Sequence, residues 1–474
     1  MGEEIATRFF TDEDFIAYRE RLSAETQLLG QWFAEKRFAT ADPIGGFEVE
    51  AWLVDERNVP APVNESFLTT LDDPLVVPEL SVFNVEINTP PQSLHKAALS
   101  TMQTNLEQTW HQCRAVAANI NSDLVAIGIL PTARDRDMTI RYMSQRERYR
   151  ALNEQVLRLR RNRPITLDIH GRDHLHTTHA DVMLEAAATS FQIHLQLTQK
   201  RAARAFNAAI VLSAPMVAVS ANSPFLFGHD LWDETRIPLF EQSVAVAQTT
   251  KAKCNRVTFG HGYVEHSLME CFEENLSTYA ILLPEVMDQP PETLAHLRLH
   301  NGTIWRWNRP LIGFDEQGVP HLRLEHRVAP AGPSMIDMVA NATLFFGMVE
   351  SFVSATTSPE SRLPFEQART NFYAAARDGL RTELTWLDGK RHPVKDILLD
   401  DLLPRARKGL EKLDLRPQDI DLYLGIIEGR LRTGQNGAAW QRAWVAQHGF
   451  DMKQLTMAYR ERSESGAPVH EWSV

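Results

Sequence analysis

Hydrophobic positions recur along the chain with two different periods. Over residues 11–38, Leu22, Leu28, Leu29 and Phe33 fall at helix-compatible spacings. Over 93–119, Met102, Leu106, Trp110, Cys113 and Ala117 recur at three- and four-residue steps that continue to Ile120. Both stretches predict amphipathic helices, as do 146–161 (ended by Arg163-Pro164), 198–212 and 335–355. Elsewhere the period drops to two, giving strand-like runs at 47–55, 82–88, 190–197 and 319–328. Gly45-Gly46 marks the change from first helix to first strand, and a buried strand over 124–130 stops at Pro131. Residues 181–188 fit neither period. Strands and helices do not alternate at βαβ spacing, so the pattern predicts an α+β fold with a mainly antiparallel sheet.

From about residue 356 the chain turns charged and helix-forming, with turns at Asp388-Gly389, Arg416-Pro417 and Gly434. The expected organisation is an α+β domain over 1–355 and a mostly helical region over 356–474 packed on it. The residues from 463 onward read as a loose tail.

The strand-like runs share an unusual polar face. Phe47, Val49, Ala51 and Leu53 oppose Glu48 and Glu50; Phe83, Val85 and Ile87 oppose Asn84, Glu86 and Asn88. Phe191, Ile193, Leu195 and Leu197 oppose Gln192, His194 and Gln196, while Leu322 and Leu324 oppose His321, Arg323, Glu325 and Arg327. A sheet with one solvated face also alternates in this way. Solvated strands favour Thr, Lys and Ser, however, and these faces carry Glu-x-Glu, His-x-Gln and Arg-x-Glu-x-Arg without Lys. Two carboxylates on one strand face repel unless a cation lies between them. Hard oxygen donors suit Mg²⁺, and Arg forks suit phosphate or carboxylate, so the combination points to phosphoryl transfer.

Composition narrows the picture. A net charge of −12 argues against a nucleic-acid partner and against a surface resting on anionic lipid. The 3 cysteines (Cys113, Cys254, Cys271) form no CxxC pair, which points to a reducing compartment rather than a disulfide framework or thiolate zinc site. The acidic N-terminus lacks the apolar run of a secretory signal, and Ala6 breaks the myristoylation pattern. The longest apolar run, 208–219, is interrupted by Pro215 and reads as too short to span a bilayer. A cytoplasmic protein without a membrane partner is expected.

The ordered set Gly-Phe-Glu-Val-Glu (46–50), Val-Glu-Ile-Asn-Thr (85–89), Ile-His-Leu-Gln (193–196), Ala-Asn-Ser-Pro-Phe (221–225) and Leu-Glu-His-Arg (324–327) resembles the glutamate–cysteine ligase family, in its bacterial and plant carboxylate–amine ligase branch. Arg148-Tyr149, Arg236 and the 371–380 stretch with Arg377 support the likeness, which covers roughly residues 40 to 385. The resemblance implies a glutamine-synthetase-like fold, a curved antiparallel sheet with helices on its outer face. It also implies a reaction in which ATP phosphorylates the γ-carboxylate of glutamate and an amine, cysteine by default, displaces phosphate. By the same likeness Glu48, Glu50, Glu86 and Glu325 would hold Mg²⁺. His194, Gln196, Asn222 and Arg148 would lie around ATP. Arg236, Arg327 and Arg323 would hold phosphate or the substrate carboxylate.

The partners implied are small molecules (ATP, glutamate and an amine), with homo-oligomerisation left open. A guanidino-kinase-like phosphotransferase and a catalytically silent binding relative are the alternatives. One departure matters: Pro330 stands where the family pattern places an acid, which implies an altered acceptor or lost activity.

Other signals carry two readings each. His170, His174, His176 and His179, with Asp168 and Asp173, suggest either a polar mobile loop over the active site or, less in keeping with their spacing, a zinc site. The block from His300-Asn301-Gly302-Thr303 through Trp305-Arg306-Trp307-Asn308-Arg309-Pro310 could be an ordinary loop or a substrate-recognition element. Cys113 lies on an apolar helix stripe and reads as core, and the basic 158–161 run reads as a solvated helix end.

Overall fold

The structure is a computed structural model describing residues 4–5, 7, 9–40, 43–246 and 255–474. Cys254 and the N-terminal positions 1–3, 6 and 8 lie outside the described residues.

Alternating segments assemble into one 8-stranded sheet. Its strands are β1 (Ile44–Asp55), β2 (Val76–Pro78), β3 (Asn84–Asn88), β4 (Gln92–Ser93), β5 (Ser122–Val125), β6 (Phe191–Leu197), β7 (Asn308–Phe314) and β8 (Pro320–His326). The order is β7-β8-β6-β1-β3-β2, with β4 and β5 also pairing on β1, and every pairing is antiparallel. The sheet curls into a half-barrel. This is the α+β architecture the period-two runs predict.

Long helices cover the apolar face. Helix α1 (Asp12–Glu35) starts at a capping box, in which Thr11 Oγ1 accepts from the Asp14 amide and the Asp14 carboxylate accepts from the Thr11 amide. Helix α2 is Ala98–Asn119, with Cys113 buried on its stripe as expected. Helices α3 (Gln199–Ser220) and α4 (Met335–Ser354) are buried along nearly their whole length against each other and the sheet. Phe47 of β1 sits 5.0 Å from Phe191 of β6 and 6.4 Å from Phe346 of α4, so the apolar sides of two central strands close on one helix. Gly347 of α4 lets the helix Leu403–Lys412 cross at backbone contact, since a side chain at Gly347 or Gly409 would overlap the opposing carbonyl.

Four expectations are corrected. The apolar run at 208–219 does not stop at Pro215: α3 continues through it for 22 residues, long enough with α4 to cross a bilayer by length and composition. In each case 89% of the apolar window is buried inside the protein, which makes them core helices. The terminal residues are not loose, because Trp472 wedges 5.2 Å from Trp440 and 5.4 Å from Tyr459, and the Val469 amide donates to Asp337 at 3.0 Å. The 158–161 run is not uniformly solvated. Arg160 is buried and donates to the Arg163, Pro164 and Ala245 carbonyls. The histidine-rich segment is not a loop but a β-hairpin, Ile165–His170 paired with His174–His179.

Candidate active site

Cross-strand register turns the polar faces into rows. Glu50 of β1 lies opposite Glu86 of β3. Glu48 lies between Asn88 and Gln192, and His194 of β6 pairs with Glu325 of β8, which pairs in turn with Arg309 of β7. One row further along, Gln196 faces Arg323. This face is not an open sheet surface. Segments carrying Phe272, Met287, Leu297 and Trp305 close over it into a cavity of about 240 Å³, and Glu86 and Glu325 are 2% and 1% exposed.

The rows group into two donor clusters. Carboxylate oxygens of Glu50, Glu79 and Glu86 lie within 4.8 Å of one another, and so do donor atoms of Glu48, His194 and Glu325. In the first, Glu50 accepts from the Ser190 amide (2.6 Å), the Ser190 hydroxyl (2.9 Å) and Gln192 Nε2 (3.0 Å), which fixes its rotamer. Asn88 Nδ2 donates to Glu86 Oε1 at 3.0 Å. In the second, His194 Nε2 stands 3.0 Å from Glu48 Oε1 and 4.0 Å from Glu325 Oε1.

Arginines balance one cluster more than the other. Arg309 grips Glu325 through two parallel bonds of 2.8 and 2.9 Å, and Arg327 donates to Glu325 at 3.1 Å and to the Gln192 side-chain oxygen. Among the described residues the buried Nε atoms of Arg323 and Arg327 have no hydrogen-bond partner, and both residues line the cavity.

The charge states follow from burial set against these neighbours. Burial disfavours ionisation of Glu325, but Arg309, Arg327 and His194 outweigh it and hold the carboxyl at about 2. Burial also opposes charge on Glu48, and the neighbouring His194 and Arg327 again win, keeping it well below the usual range. Glu50 goes the other way: burial and the facing Glu86 raise it despite Arg327 and the Ser190 bonds. Glu79 is raised well above the ordinary value by burial and by Glu50, Glu86 and Glu185. Glu185, in the same cavity, is pushed to about 7 by burial and Glu50.

Both clusters fit a hard divalent cation. One brings three carboxylates together, and the other brings two carboxylates together with an imidazole. Glu79 and Glu185 escape sequence reasoning because neither lies on a strand. Glu79 follows Pro78 at the end of β2, and Glu185 sits in a short 3₁₀ turn, Met183–Ala187. The signal for Glu79 is the Pro-Glu-Leu turn at 78–80, ahead of β3; Glu185 has none of this kind.

Of the residues named from sequence, Glu48, Glu50, Glu86, Glu325, Arg148, Arg323 and Arg327 line the cavity. His194 bridges the second cluster. Like His194, three more are not among the residues that line the cavity. Arg236 lies behind it, 5.3 Å over Trp307, and donates to Glu234 (3.1 Å), the Arg327 carbonyl (3.2 Å) and the Val328 carbonyl. Its donors are spent on holding the Arg327 segment, so it braces rather than contacts. Asn222 is wholly buried, donating to the Ala331 carbonyl (2.8 Å) and Tyr459 hydroxyl (2.7 Å) in a knot that ties in the C-terminal helices. Gln196 sits across from Arg323, half-buried, and is not among the lining residues.

The 300–310 block divides. Asn301, Gly302, Trp305 and Arg309 line the cavity, whereas Arg306 turns to Glu274 (3.0 Å) and Trp307 donates to Glu241 (2.9 Å). The end of the block, Asn308 to Pro310, opens the strand β7, and Pro310 is tolerated because β7 is an edge of the sheet. The hairpin 165–179 contributes no lining residue, so it is not a cover for the cavity.

Comparison with known proteins follows the same outline. The sequence model described as Glutamate-cysteine ligase family 2 (GCS2) matches residues 44–458. No curated protein matches by sequence. Among solved structures, the glutamate–cysteine ligase of Francisella tularensis in complex with AMP superposes with a TM-score of 0.55 at 12% identity, covering 92% of this chain and 91% of that one. A bifunctional glutathione synthetase from Pasteurella multocida gives a TM-score of 0.48 at 13% identity, covering 95% of this chain and 55% of that one. At these identities the likeness bears on the fold; the family match, which spans most of the chain, bears on the chemistry. The chain belongs to glutamate–cysteine ligase family 2 and is an ATP-dependent ligase that joins a carboxylate to an amine.

Proposed function

We propose that this ligase joins the γ-carboxylate of glutamate to an amine, with cysteine as the first acceptor to try, through an acyl phosphate. The observation that carries this reading is the pair of donor clusters, Glu50/Glu79/Glu86 and Glu48/His194/Glu325, side by side on one buried sheet face. Mg²⁺ held there would neutralise the phosphates of ATP and polarise them for transfer. The residues of the chain supply the rest. Arg309 and Arg327 fix Glu325 in place, and the free Nε donors of Arg323 and Arg327 are available for phosphate or carboxylate oxygens. The apolar side of the cavity, Phe272, Met287, Leu297 and Trp305, would limit the access of water to an acyl phosphate.

In the proposed sequence a γ-carboxylate oxygen attacks the γ-phosphorus and ADP departs. The amine nitrogen then attacks the acyl carbon, phosphate leaves, and the amine gives up a proton. Residues 1–355 form the catalytic body in this reading. The 356–474 region steadies it from behind, for example through the buried Arg430–Asp337 pair at 2.7 Å.

The test is direct. Purified protein with ATP, Mg²⁺, glutamate and a panel of amines should release ADP and phosphate in step with amide formation. ADP without free phosphate would indicate a phosphotransferase instead. No phosphate above background with any amine would end the ligase reading for these substrates.

A further inference from the structure

The histidine-rich hairpin has no part in the cavity, yet its polar face is organised. Strands Ile165–His170 and His174–His179 pair so that His170 faces His174 and Asp168 faces His176. Alternation therefore puts all four on one side of the ribbon, while Ile165, Leu167, Ile169 and Leu175 are buried on the other. Their donor atoms converge on a single carboxylate. His174 Nε2 lies 2.7 Å and His170 Nε2 3.4 Å from Asp168 Oδ1, and His176 Nδ1 lies 3.8 Å from Asp168 Oδ2. His179 is excluded, because it is spent on the Met138 carbonyl (3.0 Å) and Asp135 (2.9 Å).

We propose that Asp168, His170, His174 and His176 form a surface site for a zinc-class divalent transition metal, separate from the cavity. A tetrahedral zinc with bonds of about 2.0–2.1 Å places its donors about 3.3 Å apart. Asp168 Oδ1 stands 2.7 Å from His174 and 3.4 Å from His170, and the donor atoms of these three residues lie within 4.8 Å of one another, while His176 faces the second oxygen of the same carboxylate. Imidazole nitrogens suit zinc, nickel and copper, whereas Mg²⁺ prefers all-oxygen shells, so this site and the cavity select different ions.

The ribbon is also braced beforehand. Gln242 clamps the Asp168 backbone from both sides, accepting from its amide at 2.7 Å and donating to its carbonyl at 3.1 Å. Trp232 Nε1 donates to the His170 carbonyl at 2.8 Å, and Gly171 packs so tightly on Leu231 that a side chain would collide. The turn is closed by Asp173 and Asp230, whose backbone bond is 2.7 Å. The four donors are thus presented by a fixed scaffold rather than by independent surface side chains.

Chelator-treated protein titrated calorimetrically with zinc chloride, in excess Mg²⁺ to occupy the carboxylate clusters, should bind one zinc per chain. His174→Ala and the milder His170→Gln should each weaken binding more than about tenfold, while Glu48→Gln in the cavity leaves it unchanged. Cobalt(II) should give a tetrahedral visible absorption that His174→Ala removes, with circular dichroism showing both variants folded. Absence of binding overturns the proposal. So does zinc binding that survives both histidine substitutions or disappears in Glu48→Gln.

Discussion

Replacing Glu79 with Gln should make the metal-free protein more stable and the enzyme inactive, two effects of opposite sign from one charge. Glu50, Glu79 and Glu86 bring carboxylate oxygens within 4.8 Å of one another. At an effective dielectric of about 20, two unit charges at that distance repel by about 3.5 kcal/mol, a ceiling because burial already favours protonation of Glu50 and Glu79. Taking roughly half of that ceiling gives a gain of about 1–2 kcal/mol for Glu79→Gln without metal, or a Tm rise of about 1–2 °C at the unfolding entropy of a chain of 474 residues. With Mg²⁺ and ATP present the order should reverse, since the wild type regains through the cation what repulsion costs it and the variant has one donor fewer. Differential scanning calorimetry at about pH 8, with chelator and then with Mg²⁺ and ATP, reads both halves, and phosphate release reads turnover. Two results would refute the reasoning. One is a Tm below wild type in chelator, which would mean that the three acids do not oppose one another. The other is near-native turnover, which would mean that Glu79 holds no catalytic cation.

Two further predictions concern stability away from the metal face. Burial pushes Glu241 to about 7 from 4.5, against bonds from Trp307 Nε1 (2.9 Å) and the Tyr373 hydroxyl (2.8 Å). The folded chain therefore holds a proton that the unfolded chain releases, and its stabilisation is complete below pH 4.5 and lost as pH rises through 7. The gap sets a ceiling of about 3 kcal/mol. Glu241→Gln keeps the acceptor oxygen, so the wild-type-minus-variant difference in urea midpoint should fall steadily across that window; a pH-independent difference would count against a buried acid. Gly409→Ala places a methyl into the Gly347 carbonyl and should cost about 2–3 kcal/mol by forcing two helices apart. An unchanged thermal midpoint would mean that the crossing has slack.

How far the sequence reached depends on what periodicity encodes. A period of two says which residues share a face, and that was enough to put Glu48, Glu50, Glu86, His194, Arg323 and Glu325 on one surface with Phe47, Ile87 and Phe191 behind it. It does not say what lies opposite that surface. The polar face reads equally well as solvated until the 272–305 segments are seen to close over it. Residues that enter a site from turns, as Glu79 does, leave no periodic trace. Pro310 masked β7 for a related reason, since a proline argues against a strand unless the strand is an edge.

Position 330 turns on the same distinction. From sequence, a proline in place of an acid counts against the substrate pocket. In the fold, Pro330 has already left the polar face: its backbone bridges to Ser190 and its ring packs on Gly128, where an added side chain would meet it at 2.9 Å. It is not among the lining residues, while Glu48, Glu50, Glu79, Glu86, Glu185 and Glu325 all are. With a proline at 330, those six carboxylates still line the cavity, and the position sits beside Ser190, whose amide and hydroxyl hold Glu50.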